Sequence, residues 1–161
     1  MSFEIERDWI TAAGLRAVCL IVNGSHRCGY VEVPKEHPLF GVEYGQETEI
    51  LRDLHTKAME GPIGKRGILA LFCGANKPKP EVVFDVHGSL TFSGGGRGYP
   101  VESDGWWFGF DCSHAGDGQM NDRFGGTDPV RDTEYIVSEC ESLAQQLSVL
   151  MPTLAQKASD R

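Results

Sequence analysis

The sequence LRAVCLIVNG at residues 15–24 predicts the start of a β-hairpin, because an almost continuous apolar run leads directly into the pair Asn23-Gly24. A short apolar run bounded by turn residues is typical of a buried strand, and Asn-Gly is the strongest short-range signal for a hairpin turn. Residues 27–33 then alternate enough between polar and apolar side chains to form the returning strand. We therefore expect two antiparallel strands near the centre of a sheet.

Two segments outside the hairpin show the periodicity of amphipathic helices. Residues 46–60 carry an apolar stripe and stop at Gly61-Pro62, a pair that ends a helix. Near the C-terminus, apolar residues recur every three or four positions and define one helical face; they are Ile136, Cys140, Leu143, Leu147 and Leu150. Asp128 or Asp132 is predicted to cap this second helix, and Pro152 to end it.

Three further segments are predicted to be strands: residues 67–73, 81–87 and 105–112. The glycine-rich residues 94–98 are predicted to form a hairpin loop, because ordering a glycine costs more backbone entropy than ordering other residues. The elements do not alternate strictly between strand and helix, so a parallel α/β fold is not indicated.

The element order instead predicts an α+β fold, with a single domain over residues 1–152. We expect an antiparallel or mixed sheet of about five strands, packed by the long C-terminal helix and one shorter helix. Residues 153–161 are expected to form a frayed tail.

Charge and composition narrow the class of partner. The 161 residues include 23 acidic and 15 basic side chains, a net charge of −8, which argues against nucleic acid or an anionic membrane surface as the main partner. The first residues lack the pattern of a signal peptide, and the longest apolar run, residues 17–22, is far shorter than the ~20 residues of a membrane span. Five scattered cysteines fit reduced thiols, so we expect a cytoplasmic protein.

Titratable side chains are concentrated in two of the predicted strands and the loop that follows the second. If these strands pair, His87 and Asp111 lie together on the polar face of the sheet, near the strand ends. Asp111, His114 and Asp117 then follow at three-residue spacing into a glycine-bearing loop. We therefore predict a small polar ligand site that contains these four residues.

Three chemical roles are open for this cluster. The four residues together could bind a divalent metal ion, because imidazole and carboxylate groups suit zinc, iron or manganese. Alternatively, Asp111 could orient His87 or His114 for metal-free acid–base catalysis. Cys112 could act as a nucleophile, but its predicted place among aromatic side chains would raise the pKa of its thiol and blunt its reactivity. A purely structural role, in which each group holds a turn, is also open.

Other residues are predicted to contribute to ligand binding. Arg97, within the glycine run, would add positive charge to backbone N–H groups that can wrap an anion. Trp107 lies on the same predicted strand face as Asp111 and would line a pocket. Tyr135 and Glu139 lie one turn apart on the last helix, beside its apolar stripe, and could reach the same site.

Four stretches of the chain, residues 30–41, 86–92, 107–117 and 131–147, resemble a family of small uncharacterised proteins encoded by bacteriophages and prophages. They contain the motifs HGSLTF, WFGFDCSHAGD and RDTEYIVSEC. The resemblance implies a phage or prophage origin and action in the cytoplasm of a bacterial host. It implies no particular activity, and therefore no role for any residue.

Two functions from different classes follow as hypotheses. The first is a phage accessory protein with a small polar ligand or metal site, for which hydrolysis is the candidate reaction. The second is a non-catalytic inhibitor of a bacterial host protein, an anti-defence protein such as an anti-CRISPR, because an acidic surface can occupy a basic groove meant for nucleic acid. Direct binding of nucleic acid or of a membrane is not expected.

Overall fold

Five strands form one antiparallel sheet in the computed structural model, which describes residues 1–67, 72 and 76–152. The strands are β1 (Phe3–Ile10), β2 (Arg16–Val22), β3 (His26–Val33), β4 (Phe92–Gly95) and β5 (Trp106–Asp111), in the spatial order β1-β2-β3-β5-β4. The helices are α1 (Arg52–Glu60), preceded by a 3₁₀ turn at Glu49–Leu51, α2 (Pro80–Val83) and α3 (Thr133–Ser148). The predicted α+β fold class is confirmed.

The hairpin predicted from residues 15–33 is present as β2 and β3. Asn23 and Gly24 adopt positive φ values of 51° and 61°, the left-handed conformation that this kind of hairpin turn requires. The Ser25 amide closes the turn by donating to the Val22 carbonyl at 3.0 Å. The hairpin is central because β1 pairs with β2 and β5 pairs with β3.

Helix α3 packs against one face of the sheet and forms the main core with it. Four residues of its predicted apolar stripe, Ile136, Cys140, Leu143 and Leu147, are buried, whereas the fifth, Leu150, lies two residues beyond the helix and is half-buried against the core. Gly29 on β3 permits this close approach, since a Cβ there would lie 2.5 Å from Cζ of Phe110 and 2.8 Å from Sγ of Cys140. A larger residue at position 29 would force the helix away from the sheet.

The opposite face of the sheet holds a second, smaller core. Its buried members are Val18, Leu20, Val22, Cys28, Tyr30 and Trp107. Tyr99 covers this core, and its ring meets those of Tyr30 and Phe92 edge to face, with both pairs of centroids 5.5 Å apart. Trp107 Nε1 donates to Ser103 Oγ at 2.8 Å on the same side. The two faces of β5 therefore serve two different cores.

Strand β1 is an element that the sequence pattern does not predict. Its residues 3–6 alternate apolar and charged side chains, but it lies at an edge of the sheet and most of its side chains are exposed, so it has no buried apolar face. Glu6 anchors it instead, because its carboxylate accepts hydrogen bonds from Arg27 Nε at 2.6 Å and from Thr133 Oγ1 at 3.0 Å. Backbone pairing with β2, the next strand in the chain, and the contacts of Glu6 with residues distant in sequence together hold this strand in place.

The predicted strand at residues 81–87 is wrong. Pro80 begins the short helix α2, where a proline suits the first turn, and the chain then continues without a strand as far as β4. Val82, Phe84 and Val86 are nevertheless buried. Val83 is buried as well, so the apolar pattern reflects a buried helical turn and the segment after it, not a strand with one buried face.

The predicted loop at residues 94–98 is wrong at its first two positions. Gly94 and Gly95 pair with Trp107 and Trp106 and complete the edge strand β4. The ladder hydrogen bonds to β5 compensate for the entropy lost when these two glycines are ordered.

The two predicted helices are present with shifted boundaries. The 3₁₀ turn and α1 begin at Glu49 rather than at residue 46, and α1 ends immediately before Gly61. Asp132 caps α3, because its Oδ1 accepts the Tyr135 amide at 2.8 Å. Helix α3 ends at Ser148, before Pro152.

His37 closes the C-terminal end of α3. Its Nε2 donates to the Leu147 carbonyl at 2.9 Å, and its Nδ1 accepts the Leu39 amide at 3.0 Å. Both ring nitrogens are therefore used in holding the loop after β3 against the helix.

Two predictions fall on residues outside those described: most of the strand at residues 67–73, and the tail at residues 153–161. The domain boundary at residue 152 stays a prediction. Within the described ranges, no helix combines the length and the apolar character needed to cross a lipid bilayer.

Candidate functional site

A groove of about 980 Å³ opens beside the amino-terminal end of α3. Three loop segments line it, residues 65–67, 87–91 and 114–117, together with Arg131 and Tyr135 at the start of the helix. A volume of this size accommodates a small molecule. The groove therefore brings together residues from parts of the chain that are far apart in sequence.

Three hydrogen bonds join two of the groove's loops. The Gly88 amide donates to the Lys65 carbonyl at 2.9 Å, and the Lys65 amide donates to Asp85 Oδ1 at 2.6 Å. The Gly67 amide donates to Ser89 Oγ at 2.7 Å. These bonds fix one wall without any regular secondary structure.

Gly88 determines where the His114 ring lies. Its φ is +66°, and a Cβ at this position would lie 2.4 Å from Cε1 of His114. Glycine alone meets both conditions without strain, since it has no Cβ and adopts positive φ readily. The His114 ring consequently packs directly against the backbone at Gly88.

The segment after β5 turns back on itself to present His114 and Asp117. The Asp117 amide donates to the His114 carbonyl at 3.0 Å, and the His114 amide donates to Asp117 Oδ2 at 3.1 Å. Asp111, the last residue of β5, holds the beginning of this turn. Its Oδ1 accepts the Ser113 amide at 3.1 Å, and its Oδ2 accepts the Thr91 hydroxyl at 2.9 Å.

His87 connects two walls of the groove. Its Nε2 lies 2.7 Å from Asp117 Oδ2, and its Nδ1 lies 2.8 Å from the Tyr135 hydroxyl. Arg131 Nε donates to the other Asp117 oxygen at 3.2 Å. Burial opposes ionisation of Asp117, but hydrogen bonds, that from His87 above all, outweigh it and hold the pKa of Asp117 below its ordinary value. Asp117 is therefore a carboxylate at neutral pH.

A buried acid, Glu139, lies one helical turn beyond Tyr135. Its side chain is almost fully buried, and its Oε1 lies 3.0 Å from Lys65 Nζ without forming a well-aligned hydrogen bond. Burial, and then the charge and hydrogen bonding of Glu139, raise the pKa of Tyr135 to about 12. The Tyr135 phenol consequently keeps its proton at neutral pH.

His87, His114 and Asp117 form a group that could hold a metal ion, because one ligand atom from each lies within 4.8 Å of the others. His114 Nδ1 is buried without a hydrogen-bond partner and lies 3.7 Å from Asp117 Oδ2. A buried polar atom without a partner is costly. This nitrogen is therefore suited to a ligand that supplies the missing interaction.

The pairing of His87 with Asp111, predicted from strand geometry, is replaced by the pairing of His87 with Asp117. The reason is that residues 81–87 do not form a strand beside β5, so strand alternation does not govern where His87 points. Asp111 Oδ1 lies 3.7 Å from His114 Nδ1, but Asp111 is outside the group of three.

The other predicted residues lie in different surroundings. Cys112 is buried, and burial followed by the charge of Asp117 raises the pKa of its thiol, which disfavours the nucleophile hypothesis. Trp107 belongs to the core on the opposite face of the sheet. Arg97 lies in the exposed turn after β4, and neither it nor Trp107 lines the groove.

Two residues of the groove, Lys65 and Arg131, are missing from the site predicted from sequence. The Arg131 guanidinium carbon lies 4.8 Å from the centre of the Tyr135 ring, and Lys65 Nζ lies 5.9 Å from it. Arg131 lies just before Asp132, the residue that caps α3, so its place beside the start of the helix could have indicated it. Lys65 comes from a distant loop, and no local signal points to it.

A scan against protein-family models, a search of curated proteins and a search of solved structures each found no match to this chain. These searches leave the resemblance to bacteriophage proteins untested, and it stays a prediction.

Proposed function

We propose that the protein binds a divalent metal ion through His87, His114 and Asp117, and that it hydrolyses a small polar ligand held in the groove. The observation that carries this proposal is the convergence of three ligand atoms, all within 4.8 Å of one another, at a groove of about 980 Å³. His114 and Asp117 come from one turn and His87 from a separate loop, so tertiary folding brings the second imidazole to the other two ligands.

The chemistry of the donor set supports a catalytic rather than a purely structural ion. Two imidazoles and one carboxylate are a combination used for zinc and for non-haem iron, and three protein ligands leave positions for water and substrate. Such an ion supplies Lewis acidity, which polarises an oxygen of the ligand and lowers the pKa of water. The groove provides space for that ligand beside His114.

The residues behind His87 also support metal binding. A histidine that binds a metal through one ring nitrogen commonly donates its other N–H to a neighbouring acceptor, which fixes the tautomer. His87 Nδ1 lies 2.8 Å from the Tyr135 hydroxyl, and the buried Glu139 lies one helical turn further along α3. In the structure His87 Nε2 donates to Asp117 Oδ2. An ion would take the place of this proton, and His87 Nδ1 would then carry the ring proton and donate it to the Tyr135 hydroxyl.

Arg131 contributes by orienting the carboxylate. It binds Asp117 through Oδ1 at 3.2 Å, so Oδ2 remains the oxygen that faces the two histidines. An ion at this position would replace the hydrogen bond between His87 and Asp117 with two ligand bonds.

Titration of metal-free protein with zinc and with manganese, followed by isothermal calorimetry, tests the metal site. We expect saturable binding of one ion per chain, and a loss of affinity of about 100-fold or more in His114→Ala, since metal-site residues beyond the ligands alone contribute about 10–100-fold. His26→Ala is the matched control, because His26 is a half-buried histidine outside the group.

Hydrolysis is measured separately, with p-nitrophenyl acetate and p-nitrophenyl phosphate as probes. The metal-loaded protein should cleave at least one of them, and EDTA should abolish the activity. Absence of saturable metal binding, or equal affinity in His114→Ala and His26→Ala, would overturn the metal site. Metal binding without cleavage of either probe would overturn the proposed hydrolysis and leave the metal site intact.

A second candidate, inhibition of a bacterial host protein, is favoured by the edge strand β1. Its backbone edge has no partner strand within the described sheet, and Phe3, Ile5 and Ile10 are exposed along it. An exposed sheet edge can pair with a strand of another protein. Capture of a specific host protein that is lost in Ile5→Lys, but kept in His114→Ala, would support this candidate over the first.

A further inference from the structure

The groove is rich in positive charge although the protein is acidic overall. Basic side chains line it in a chain whose net charge is −8; they are Lys65, Arg66, Lys79 and Arg131. Fewer carboxylates belong to it: Asp117 and Glu81 in the lining, and Glu139 in contact with Lys65. Positive charge concentrated in a cleft attracts anionic ligands.

Arg66 is a fixed positive charge in the groove wall. It is only 7% exposed, and its guanidinium donates to the main-chain carbonyls of Pro62, Ile63 and Val82. Within the described residues, Lys65, Lys79 and Arg131 each form an ion pair with a carboxylate, and Arg66 forms none. Carbonyl groups satisfy the hydrogen bonds of Arg66 without neutralising its charge.

Arg131 and Lys65 keep hydrogen-bond donors for a ligand. Arg131 binds Asp117 through Nε, and among the described residues its terminal nitrogens have no hydrogen-bond acceptor. Lys65 Nζ contacts Glu139, yet the Lys65 side chain is 54% exposed. Because both cations approach the ring of Tyr135, they lie around one region of the groove.

A bound divalent ion would increase the excess of positive over negative charge in the groove. Asp117 would then serve the ion as a ligand, and four basic side chains together with the ion would face three carboxylates. In a groove partly screened from water, a ligand of opposite charge is favoured more strongly than in open solvent.

We infer that the ligand of this groove carries an oxyanion, a phosphate or carboxylate group, which Lys65 and Arg131 bind. The planar guanidinium suits two oxygens of either group, and the ammonium adds a point charge. The inference deepens the proposed function and rests on it only for the contribution of the metal. The cationic wall itself is built entirely from residues of the chain.

Calorimetric titration of EDTA-treated protein with inorganic phosphate, and separately with acetate, tests the inference. We expect saturable binding of at least one of the two anions, weakened about tenfold or more in Lys65→Met and in Arg131→Met, as for loss of a charge-assisted hydrogen bond. Lys57→Met is the matched control, because Lys57 is an exposed lysine on α1 outside the groove. Phosphate and acetate together show which oxyanion is preferred.

A measurement on the unaltered protein keeps the test independent of whether each variant folds. Anion binding should shift the ring-proton NMR signals of His87 and His114 and leave those of His26 and His37 unchanged. No saturable binding of either anion, equal shifts at His26, His37, His87 and His114, or equal affinity in Lys65→Met and Lys57→Met would overturn the inference.

The test of anion binding and the test of the proposed metal site can fail independently. Anion binding is measured without metal, and metal binding is measured without phosphate. Failure of the zinc titration with anion binding intact would remove the metal and leave the oxyanion ligand. The reverse result would keep the metal site and remove the oxyanion.

Discussion

The two halves of helix α3 serve different purposes. The C-terminal half places Leu143 and Leu147 against the sheet, fully buried, where they continue the apolar stripe that Ile136 and Cys140 begin. The N-terminal half places Tyr135 and Glu139 toward the groove, next to the proposed metal ligands. One continuous helix therefore contributes both to the main core and to the candidate site.

The two halves of α3 differ most clearly in whether their buried polar atoms have hydrogen-bond partners. Within the described residues, two buried side-chain nitrogen or oxygen atoms lack a hydrogen-bond partner, His114 Nδ1 and Glu139 Oε1, and both belong to the groove region. At the core end, His37 satisfies the Leu147 carbonyl with a good hydrogen bond. Unsatisfied groups cluster where a ligand could satisfy them, which is expected of a site and not of a core.

The largest effect should come from the core half. Leu143→Ala should lower the free energy of unfolding by about 2–5 kcal/mol, because it removes a fully buried side chain and leaves a cavity. Urea denaturation measures this loss, and the folded variant should bind zinc as the unaltered protein does. A loss below about 1 kcal/mol would show that α3 does not pack as tightly on the sheet as buried cores require.

In the groove half of α3, a substitution should affect metal binding more than stability. Tyr135→Phe removes the hydroxyl next to His87 Nδ1 and should weaken zinc binding by about 10–100-fold, the usual effect of losing a group that orients a metal ligand. Urea denaturation should show a much smaller change in stability than for Leu143→Ala. If Tyr135→Phe binds zinc normally, the proposed role of Tyr135 in fixing the His87 tautomer is wrong.

A third prediction concerns pH and the core end of α3. Burial lowers the pKa of His37 below its ordinary value of 6.5, although the Leu147 carbonyl and Glu36 oppose that shift. As the pH falls below about 6.5, His37 is protonated in the unfolded chain. In the folded protein it is protonated only at a lower pH. Stability is fully present above pH 6.5 and declines as pH falls through the folded-state value, by at most about 1.4 kcal/mol per pH unit.

Urea denaturation between pH 7.5 and pH 5.5 checks this decline. His37→Gln should reduce the slope, since glutamine can still donate to the Leu147 carbonyl but does not titrate. An unchanged slope in His37→Gln would assign the decline to another group.

The smallest effect is expected at the start of the helix. Asp132→Ala should cost about 1 kcal/mol, because Asp132 Oδ1 accepts the Tyr135 amide and caps α3. Asp132→Asn is the control and should retain most of the stability, since asparagine caps equally well. Equal losses in both variants would indicate that the charge of Asp132, rather than its cap, is what matters.

Much of the fold was predictable because it depends on local patterns. The central hairpin follows from an apolar run and the Asn23-Gly24 pair, and α3 follows from its apolar stripe. Strand β1 was not predicted, because its exposed side chains form no buried apolar face, although it pairs with the neighbouring β2 and is anchored by Glu6 through Arg27. The error at residues 81–87 arose because this apolar pattern is compatible with a strand and also with a buried helical turn and the segment after it.

The candidate site was predictable in composition but not in geometry. The spacing of His114 and Asp117 places both in one turn, so their proximity follows from sequence. The partner of His87 does not, because the loop around Gly88 is positioned by hydrogen bonds to Lys65 and not by strand alternation. Lys65 could not be identified at all without the tertiary contact.

The amino-acid sequence alone determined the hairpin, the aromatic strand β5 and the capped helix α3, since hydrophobic periodicity and turn chemistry act between near neighbours. Tertiary structure alone decided which carboxylate faces His87 and which cations surround it. Side chains that meet across loops are positioned by the packing of distant segments, and no local pattern encodes such distances.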